Sequence, residues 1–265
     1  MNGGGAIWLV GAGNMGGAML RGWLASGVNP KRITVITRTP RELPEGVSGV
    51  TAPPKGSPDL LVLAMKPQQL ADVAATPFGS CSPRLLVSVL AGVDCATLAA
   101  RFDAQHVVRL MPNLPVAIGQ GVSLLQTEST DPGVRAEVEA LARPLGAVEW
   151  IEDPALFDAA TALAGSGPGF LFKVIAALAE AGRRLGLDGE QAARMARATV
   201  AGSAAMAAQS AEDIATLAQR VASPGGSTRE GYAVLDREEA LVRLLTDTLA
   251  AAERRNAEMA AEARR

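Results

Sequence analysis

The first 150 residues alternate between short apolar runs and stretches with helical spacing. Short continuous runs rich in Val, Ile and Leu are typical of strands that are buried on both faces of a parallel sheet. The runs that we interpret as strands cover residues 6–10, 33–37, 60–64, 85–90, 106–110 and 121–125, and residues 14–26 are predicted as a helix. The pattern therefore predicts parallel β-α-β units and an α/β fold with a doubly wound sheet.

From residue 154 onward the pattern changes to helices alone, and alanine, a strong helix former, becomes abundant. The predicted helices cover residues 170–185, 188–208 and 210–221, with two more that begin near residues 227 and 236. Pairs with capping spacing open four of them: Asp188 with Gln191, Ser210 with Asp213, Ser227 with Glu230, and Asp236 with Glu239. We predict two domains, a sheet domain over residues 1–153 and an all-helical domain over residues 154–265. The small, alanine-rich second domain is expected to complete its burial by dimerising.

Composition and charge exclude several classes of protein. Hydrophobic residues make up 48% of the chain and charged residues 20%, which excludes global disorder. The formal net charge is −2 without a basic patch, so neither nucleic acid nor a membrane surface is an expected partner. Cys81 and Cys95 form neither a disulfide framework nor a metal-ligand cluster, so we expect no metal and a reducing cytoplasm. We find no unbroken apolar stretch of spanning length and expect no membrane span.

A glycine-rich motif follows the first predicted strand. Gly11, Gly13 and Gly16 frame the sequence G-A-G-N-M-G, which includes Asn14 and Met15 and opens the first helix. In such a motif the first glycine permits a tight turn, the second lets a pyrophosphate approach the backbone, and the third allows close packing of helix and strand. The helix N-terminus favours the phosphate charge. The strand–motif–helix context predicts a Rossmann-type dinucleotide site.

The end of the second predicted strand indicates which dinucleotide binds. NAD-selective sites usually place Asp or Glu there, on the ribose hydroxyls. This chain has Thr37, Arg38 and Thr39, followed by Arg41. A guanidinium presents a planar fork of donors that suits a 2′-phosphate. The pattern favours NADPH and leaves NADH possible.

Two further strand ends are expected to border the cofactor. Parallel strands of such sheets meet the ligand at their carboxyl ends. The third predicted strand ends at Ala64 and is followed by Lys66 and Pro67, and the fourth is followed by Ala91 and Gly92. Lys66 has two possible targets, the cofactor ribose and the substrate, while the small residues leave space for a nicotinamide ring.

Four motifs in order resemble one known family. They are Lys66-Pro67, RLMPN at residues 109–113, GSGP at residues 165–168 and SPGGST at residues 223–228. Together they are similar to the pyrroline-5-carboxylate reductase family and span nearly the whole chain. The resemblance implies a Rossmann domain, a C-terminal helical domain that interlocks with a partner subunit, and dimers that assemble further into rings such as a decamer. It also implies NADPH-dependent reduction of 1-pyrroline-5-carboxylate to proline.

The resemblance implies that the substrate binds at the SPGGST loop. Gly225 and Gly226 can adopt backbone angles that other residues avoid, so successive amides can point at one carboxylate. The hydroxyl of Thr228 is then in reach of the ring nitrogen, which makes Thr228, together with Lys66, a candidate catalytic residue. The alternative is a helix start without a ligand. The substrate-binding residues implied are Val221, Ser223, Gly225, Gly226, Ser227 and Thr228.

Some polar residues and two other functions stay open at this stage. Asn113 hydrogen-bonds either the loop backbone or a ligand, and His106 is interpreted as structural because it belongs to no motif. A β-hydroxyacid reductase would need a catalytic lysine early in a long second-domain helix, for which Lys173 is the candidate. A nucleotide-binding protein without activity would be expected to lack the SPGGST loop.

Overall fold

A computed structural model of the chain describes residues 5–263, and the chain divides into two compact units. The first unit contains the residues up to Ser166 and those from Ala251 onward, and the second is Gly167–Ala250. The domain boundary between residues 153 and 154 stays a prediction.

The first unit is built on one sheet with the strand order β3-β2-β1-β4-β5-β6-β7-β8. The strands are β1 Ile7–Val10, β2 Ile33–Ile36, β3 Ser48–Val50, β4 Leu60–Leu63, β5 Leu85–Ser88, β6 His106–Pro112, β7 Gly121–Thr127 and β8 Gly146–Trp150. The six predicted strands are confirmed. β3 and β8 are not predicted, because both are edge strands whose residues are partly exposed and form no continuous apolar run.

The sheet is mixed rather than parallel throughout. All neighbouring strands pair in parallel except β6 and β7, which are antiparallel. The expectation of parallel units alone is therefore wrong at this pair, where the short connection through residues 113–120 contains no crossover helix.

Helices cover both faces of the sheet, as the predicted doubly wound fold requires. Alternate residues of β1 face opposite sides, since Ile7 and Leu9 belong to one buried apolar cluster while Trp8 and Val10 belong to another. The helices of this unit are α1 Asn14–Ala25, α2 Leu70–Ala74, α3 Cys95–Ala99, α4 Pro132–Ala142 and α5 Phe157–Ala160. A π-helical turn, Thr161–Gly165, follows α5.

Trp23 joins α1 to the rest of the first cluster. Its side chain is only 1% exposed, and its Nε1 donates a hydrogen bond of 2.8 Å to the carbonyl oxygen of Leu141 in α4. A buried indole therefore contributes both apolar area and a satisfied donor. This contact fixes the position of α1, whose N-terminus lies at the glycine motif.

The second unit is helical, which confirms the all-helical C-terminal region. Its helices are α6 Gly167–Arg184, α7 Gly189–Gln209, α8 Ile214–Val221 and α9 Ser227–Leu235, and α10 Ala240–Ala263 continues from it into the first unit. α6 and α7 pack against each other. Among the described residues of this unit, Ala192 and Ala196 are the buried ones, and many large apolar side chains are exposed.

Capping predictions for this unit are confirmed at one helix and wrong at three. Asp188 Oδ1 accepts the backbone N–H of Gln191 at 2.9 Å. α8 starts at Ile214 with Asp213, rather than Ser210, as its N-cap. α9, however, starts at Ser227 with Gly226 as its N-cap, so Ser227 is one position too late to close a capping box. At Asp236 no side-chain cap bond is made, and the backbone of Glu238 and Glu239 turns into the left-handed region with φ of 50° and 58° before α10.

One helical stretch is long and apolar enough to cross a membrane by length and composition. It is Pro154–Arg184, and only 6% of its apolar window is buried. The stretch is not unbroken, because Gly165 and Ser166 interrupt regular α-helix inside it, at the end of the π-turn.

Replacing Trp23 tests the join between α1 and α4. Trp23→Ala should lower the free energy of unfolding by about 3–5 kcal/mol, because it removes a buried aromatic side chain. Trp23→Phe should cost less, because it mainly loses the hydrogen bond to Leu141. Urea unfolding followed by circular dichroism at one protein concentration measures both. Equal losses of unfolding free energy in the two variants would contradict the conclusion that Trp23 stabilises the unit mainly by packing.

Candidate active site

The glycine motif brings β1, α1 and β4 together at the carboxyl edge of the sheet. Gly11 has a φ of +92°, and a Cβ there would lie 2.7 Å from the carbonyl oxygen of Ala64, just past β4. A Cβ on Gly16 would lie 2.3 Å from the carbonyl oxygen of Gly11. Both positions are therefore restricted to glycine by backbone atoms that cannot move aside. Gly13 has open space where its Cβ would be, so a ligand can approach the backbone there.

The N-terminus of α1 is open toward the same place. α1 begins at Asn14, and its N-cap Gly13 makes no side-chain cap bond. The N–H groups of the first helical turn have no partner within their own helix, and an anion at this position satisfies them. The arrangement fits the pyrophosphate of a dinucleotide.

A cleft of about 600 Å³ opens beside this loop. It lies where the strand order reverses between β1 and β4, which is where open α/β sheets bind ligands. Among the predicted cofactor residues, the cleft is lined by Gly11, Gly13, Asn14, Met15, Thr37, Arg38, Ala64 and Lys66. Further lining residues that the sequence does not single out include Thr51, Pro53, Gln69, Asp72, Thr76 and Phe78. Their only sequence signal is that they follow β3 or the Lys66-Pro67 loop.

Two arginines border the cleft beyond β2. Arg38 lies 3.6 Å from Asp72, measured from Nη2 to Oδ2, and both side chains are mostly exposed. Arg41 donates from Nη1 to the carbonyl oxygen of Ala12 inside the glycine motif. Thr37 Oγ1 donates to the carbonyl oxygen of Thr39 at 2.9 Å, which closes the turn after β2. Both guanidinium groups therefore lie in the cleft beside the glycine motif.

The loop after β4 presents Lys66 to the cleft. The backbone N–H of Lys66 donates to Gln69 Oε1 at 3.1 Å, and Pro67 begins a short 3-10 helix, Pro67–Gln69. Proline at this position suits a helix start, because its missing N–H would have no partner there. The Lys66 side chain is exposed and lines the cleft, while Pro67 supports the loop from outside it.

Ala91 and Gly92 lie after β5, farther along the same edge of the sheet. Gly92 has a φ of +72°, and a Cβ there would lie 2.9 Å from the backbone nitrogen of Ala260 near the end of α10. Ala91 packs against a small buried cluster that contains Met111 and Phe157. Neither residue lines the cleft described above, and their contact with the nicotinamide stays a prediction.

Asn113 bonds loop backbone on two sides. Its Nδ2 donates to the carbonyl oxygen of Ala164 at 2.9 Å, and its Oδ1 accepts the N–H of Val122 at 2.9 Å. Ala164 belongs to the π-turn. In a regular α-helix its carbonyl oxygen would accept the N–H of the residue four positions later, but that residue is Pro168, which has no N–H. The Asn113 amide therefore supplies the missing donor and links the MPN segment to the GSGP segment.

The SPGGST loop has the backbone that the sequence predicts for an anion-binding turn. Gly225 has a φ of +72°, and the N–H of Gly226 donates to the carbonyl oxygen of Ser223 at 3.0 Å. Gly226 is the N-cap of α9 and offers no side-chain cap, so the first N–H groups of that helix are left for a ligand. Thr228 is half-buried and Ser227 exposed. Val221, the last residue of α8, is exposed.

His106 and the two cysteines are not among the residues that line the cleft. His106 Nδ1 lies 2.9 Å from Ser129 Oγ at the amino end of β6, the edge of the sheet opposite the cleft. Burial raises the pKa of Cys95 to about 11, so this thiol is protonated at neutral pH. Among the described residues there is no group of three or more His, Cys, Asp or Glu side chains that could hold a metal ion.

Comparison with protein families matches both parts of the chain. The family described as "Pyrroline-5-carboxylate reductase dimerisation" matches residues 154–259, and "NADP oxidoreductase coenzyme F420-dependent" matches residues 6–92. The pyrroline-5-carboxylate reductase of Pseudomonas aeruginosa is 34% identical and covers 96% of each chain. The chain belongs to the pyrroline-5-carboxylate reductase family. Pyrroline-5-carboxylate reductase 2 of Bacillus subtilis is 33% identical and covers 91% of this chain and 92% of its own.

Solved structures of this family share the fold. A pyrroline-5-carboxylate reductase from Coxiella burnetii has a TM-score of 0.84 at 30% identity and covers 97% of this chain and 99% of its own. The Plasmodium falciparum enzyme, solved with NADP bound, has a TM-score of 0.79 at 23% identity and covers 97% of this chain and 98% of its own. The resemblance and the fold class are confirmed. The dimerisation match assigns the exposed apolar helices of the second unit to a homo-oligomer.

Replacing the amide nitrogen of Asn113 by an oxygen tests its contact with the π-turn. Asn113→Asp keeps an accepting oxygen for Val122 but replaces the donor to Ala164 by an oxygen, so two acceptors face each other. We expect a loss of about 1–3 kcal/mol in the free energy of unfolding, because the buried carbonyl loses its partner. The matched control is Asn29→Asp, since Asn29 uses only its oxygen, on Lys31. A similar, small effect in both variants would contradict this role of Asn113.

Proposed function

We propose that the chain catalyses the reduction of 1-pyrroline-5-carboxylate to L-proline with NAD(P)H, the last step of proline biosynthesis. The observation that carries this proposal is the 34% identity to a pyrroline-5-carboxylate reductase over 96% of both chains. The glycine motif and the cleft at the carboxyl edge of the sheet support it, because the residues present fit a dinucleotide.

The proposed cofactor is NADPH in preference to NADH. When bound, the nicotinamide supplies the hydride, and the protein supplies binding and orientation. Arg38 and Arg41 both line the cleft beyond β2, where NAD-selective sites usually have a carboxylate. Guanidinium groups there favour a 2′-phosphate through charge-assisted hydrogen bonds. Lys66 lines the same cleft and is proposed to bind the cofactor ribose or the substrate.

The proposed substrate site is the SPGGST loop. The backbone N–H groups of Ser227 and Thr228, in the first turn of α9, bind the carboxylate, and the N-terminus of this helix adds its partial positive charge. The Thr228 hydroxyl hydrogen-bonds the ring nitrogen, which accepts a proton from water directly or through this hydroxyl. A protonated cyclic imine is already an electrophile, so correct positioning provides much of the rate enhancement.

The proposed assembly is a homodimer that associates further into a ring such as a decamer, in a cytoplasmic location. Support for the dimer comes from the dimerisation match over residues 154–259 and from the exposed apolar side chains of the second unit. Two cysteines that are buried and form no disulfide are consistent with a reducing compartment. Light scattering of the purified protein measures the size of the assembly.

The reaction itself is tested by following loss of NADPH absorbance with 1-pyrroline-5-carboxylate, with NADH in parallel and proline measured as product. Turnover that yields proline is the expected result. Binding of NADPH without turnover would contradict the substrate and leave the cofactor assignment intact.

Replacing Thr228 tests the substrate site. Thr228→Ala should lower kcat by about tenfold to a hundredfold while the Kd of NADPH stays near its original value, because a hydrogen bond to the reacting nitrogen is worth about 1.5–3 kcal/mol. Thr228→Ser restores a hydroxyl and should recover most of the activity. Thr248→Ala, a threonine of α10 that bonds the carbonyl of Leu244, is the matched control. Equal losses of turnover and NADPH binding would remove Thr228 from the substrate site.

Replacing Arg38 tests the proposed NADPH preference. Arg38→Asp should lower the ratio of kcat/KM with NADPH to kcat/KM with NADH by about tenfold or more, since it removes a charged donor and adds a charge that repels phosphate. Lys31→Asp makes the same change of charge before β2, at the other end of the strand, and should leave the ratio unchanged. An unchanged ratio in Arg38→Asp would mean that Arg38 does not bind the 2′-phosphate.

A further inference from the structure

The cofactor cleft contains one carboxylate among its cationic groups. Three basic side chains line it: Arg38, Arg41 and Lys66. Among the described lining residues, Asp72 is the only acidic one. A carboxylate in a cleft that binds a polyanion weakens that binding by charge repulsion unless it has another task. Its position is therefore not explained by pyrophosphate binding.

Asp72 is directed at the arginine that is proposed to bind the 2′-phosphate. It lies in the first turn of α2, and its Oδ2 is 3.6 Å from Arg38 Nη2. The Asp72 side chain is 76% exposed and that of Arg38 is 72% exposed. Ion pairs with this exposure contribute little to folding stability. A purely structural role of the pair is therefore a weak explanation for Asp72.

We propose that Asp72 is a specificity-determining residue that weakens NADPH binding relative to NADH binding. The proposal rests on the proposed NADPH site at Arg38. Asp72 forms an ion pair with Arg38, the group that a 2′-phosphate needs, and its charge repels the phosphate. NADH carries a 2′-hydroxyl in that position, and this hydroxyl can donate a hydrogen bond to a carboxylate. Arg38 thus favours the phosphorylated cofactor while Asp72 limits that preference and keeps the cleft usable by both.

An electrostatic effect of Asp72 on cofactor binding depends on salt. Both side chains are exposed, so the repulsion between Asp72 and a phosphate acts through water and is screened by ions. A steric or conformational effect of Asp72 would not be screened. Salt therefore separates an electrostatic role of Asp72 from a change in the shape of the cleft.

The test measures the Kd of NADPH and of NADH by fluorescence titration in the absence of substrate. Asp72→Asn keeps the size of the side chain and removes its charge. We expect it to lower the Kd of NADPH by about threefold to tenfold at low salt and to leave the Kd of NADH unchanged or raised. At about 1 M salt, where the Debye length is about 3 Å, the gain should largely disappear. Glu128→Gln is the control for net charge, since Glu128 is exposed and follows β7 at the opposite edge of the sheet.

Two results would overturn the proposal. An equal change for NADPH and NADH, or none, would mean that Asp72 does not distinguish the cofactors. Weaker NADPH binding in Asp72→Asn would mean that Asp72 instead orients Arg38 for the phosphate. The failure of the proposed NADPH preference is seen separately, as equal Kd values for the two cofactors in the unmodified protein. A selective gain for NADPH in Asp72→Asn would still support the role of Asp72 in that case.

Discussion

The close approach of β1, α1 and β4 is the constraint on which the cofactor half of the molecule depends. Backbone atoms of Ala64 lie where a side chain on Gly11 would be, and the carbonyl of Gly11 lies where a side chain on Gly16 would be. Only glycine allows the strand to turn into the helix at this distance from the neighbouring strand. Because the turn is that tight, the N-terminus of α1 faces the point where the strand order reverses. The proposed phosphate site is thus a consequence of backbone packing.

The charged groups of the cleft follow from the same geometry. The carboxyl ends of β1, β2 and β4 meet at one edge, so the segments that leave them converge there. Arg38 and Arg41 come from the segment after β2, while Lys66 and Asp72 come from the segment after β4. Residues from two distant parts of the chain therefore line one cleft. The proposed cofactor selectivity depends on the balance between these segments.

Much of this half could be predicted from the sequence, because its signals are local. Buried parallel strands are continuous apolar runs, and the glycine motif has fixed spacing, so β1, α1 and eight of the lining residues are predictable from the sequence alone. The edge strands β3 and β8 lack such runs because one side of each meets no neighbour. Asp72 and Gln69 carry no motif of their own, and only the folded position of α2 brings them to the cleft. The contact of Asn113 with Ala164 spans 51 positions in sequence and leaves no local pattern.

The helical half could be predicted in type but less well in detail, and the reason is physical. A capping box depends on one residue of register, and Ser227 lies one position inside α9, so the sequence pattern at its start misleads. Helix existence depends only on alanine-rich composition and spacing, which are averaged over many residues. Sequence therefore indicates where helices occur more reliably than where they begin.

Burial separates the two halves more sharply than secondary structure does. Strands β1 and β4 of the first unit are buried throughout, whereas none of the described residues of α6, α8 and α9 is buried. Apolar side chains such as Leu178, Met206 and Leu244 are about half exposed or more. Exposed apolar area of this extent is typical of interaction surfaces, and the dimerisation match covers the same residues. We therefore expect the stability of the second unit to depend on association of subunits and so on protein concentration.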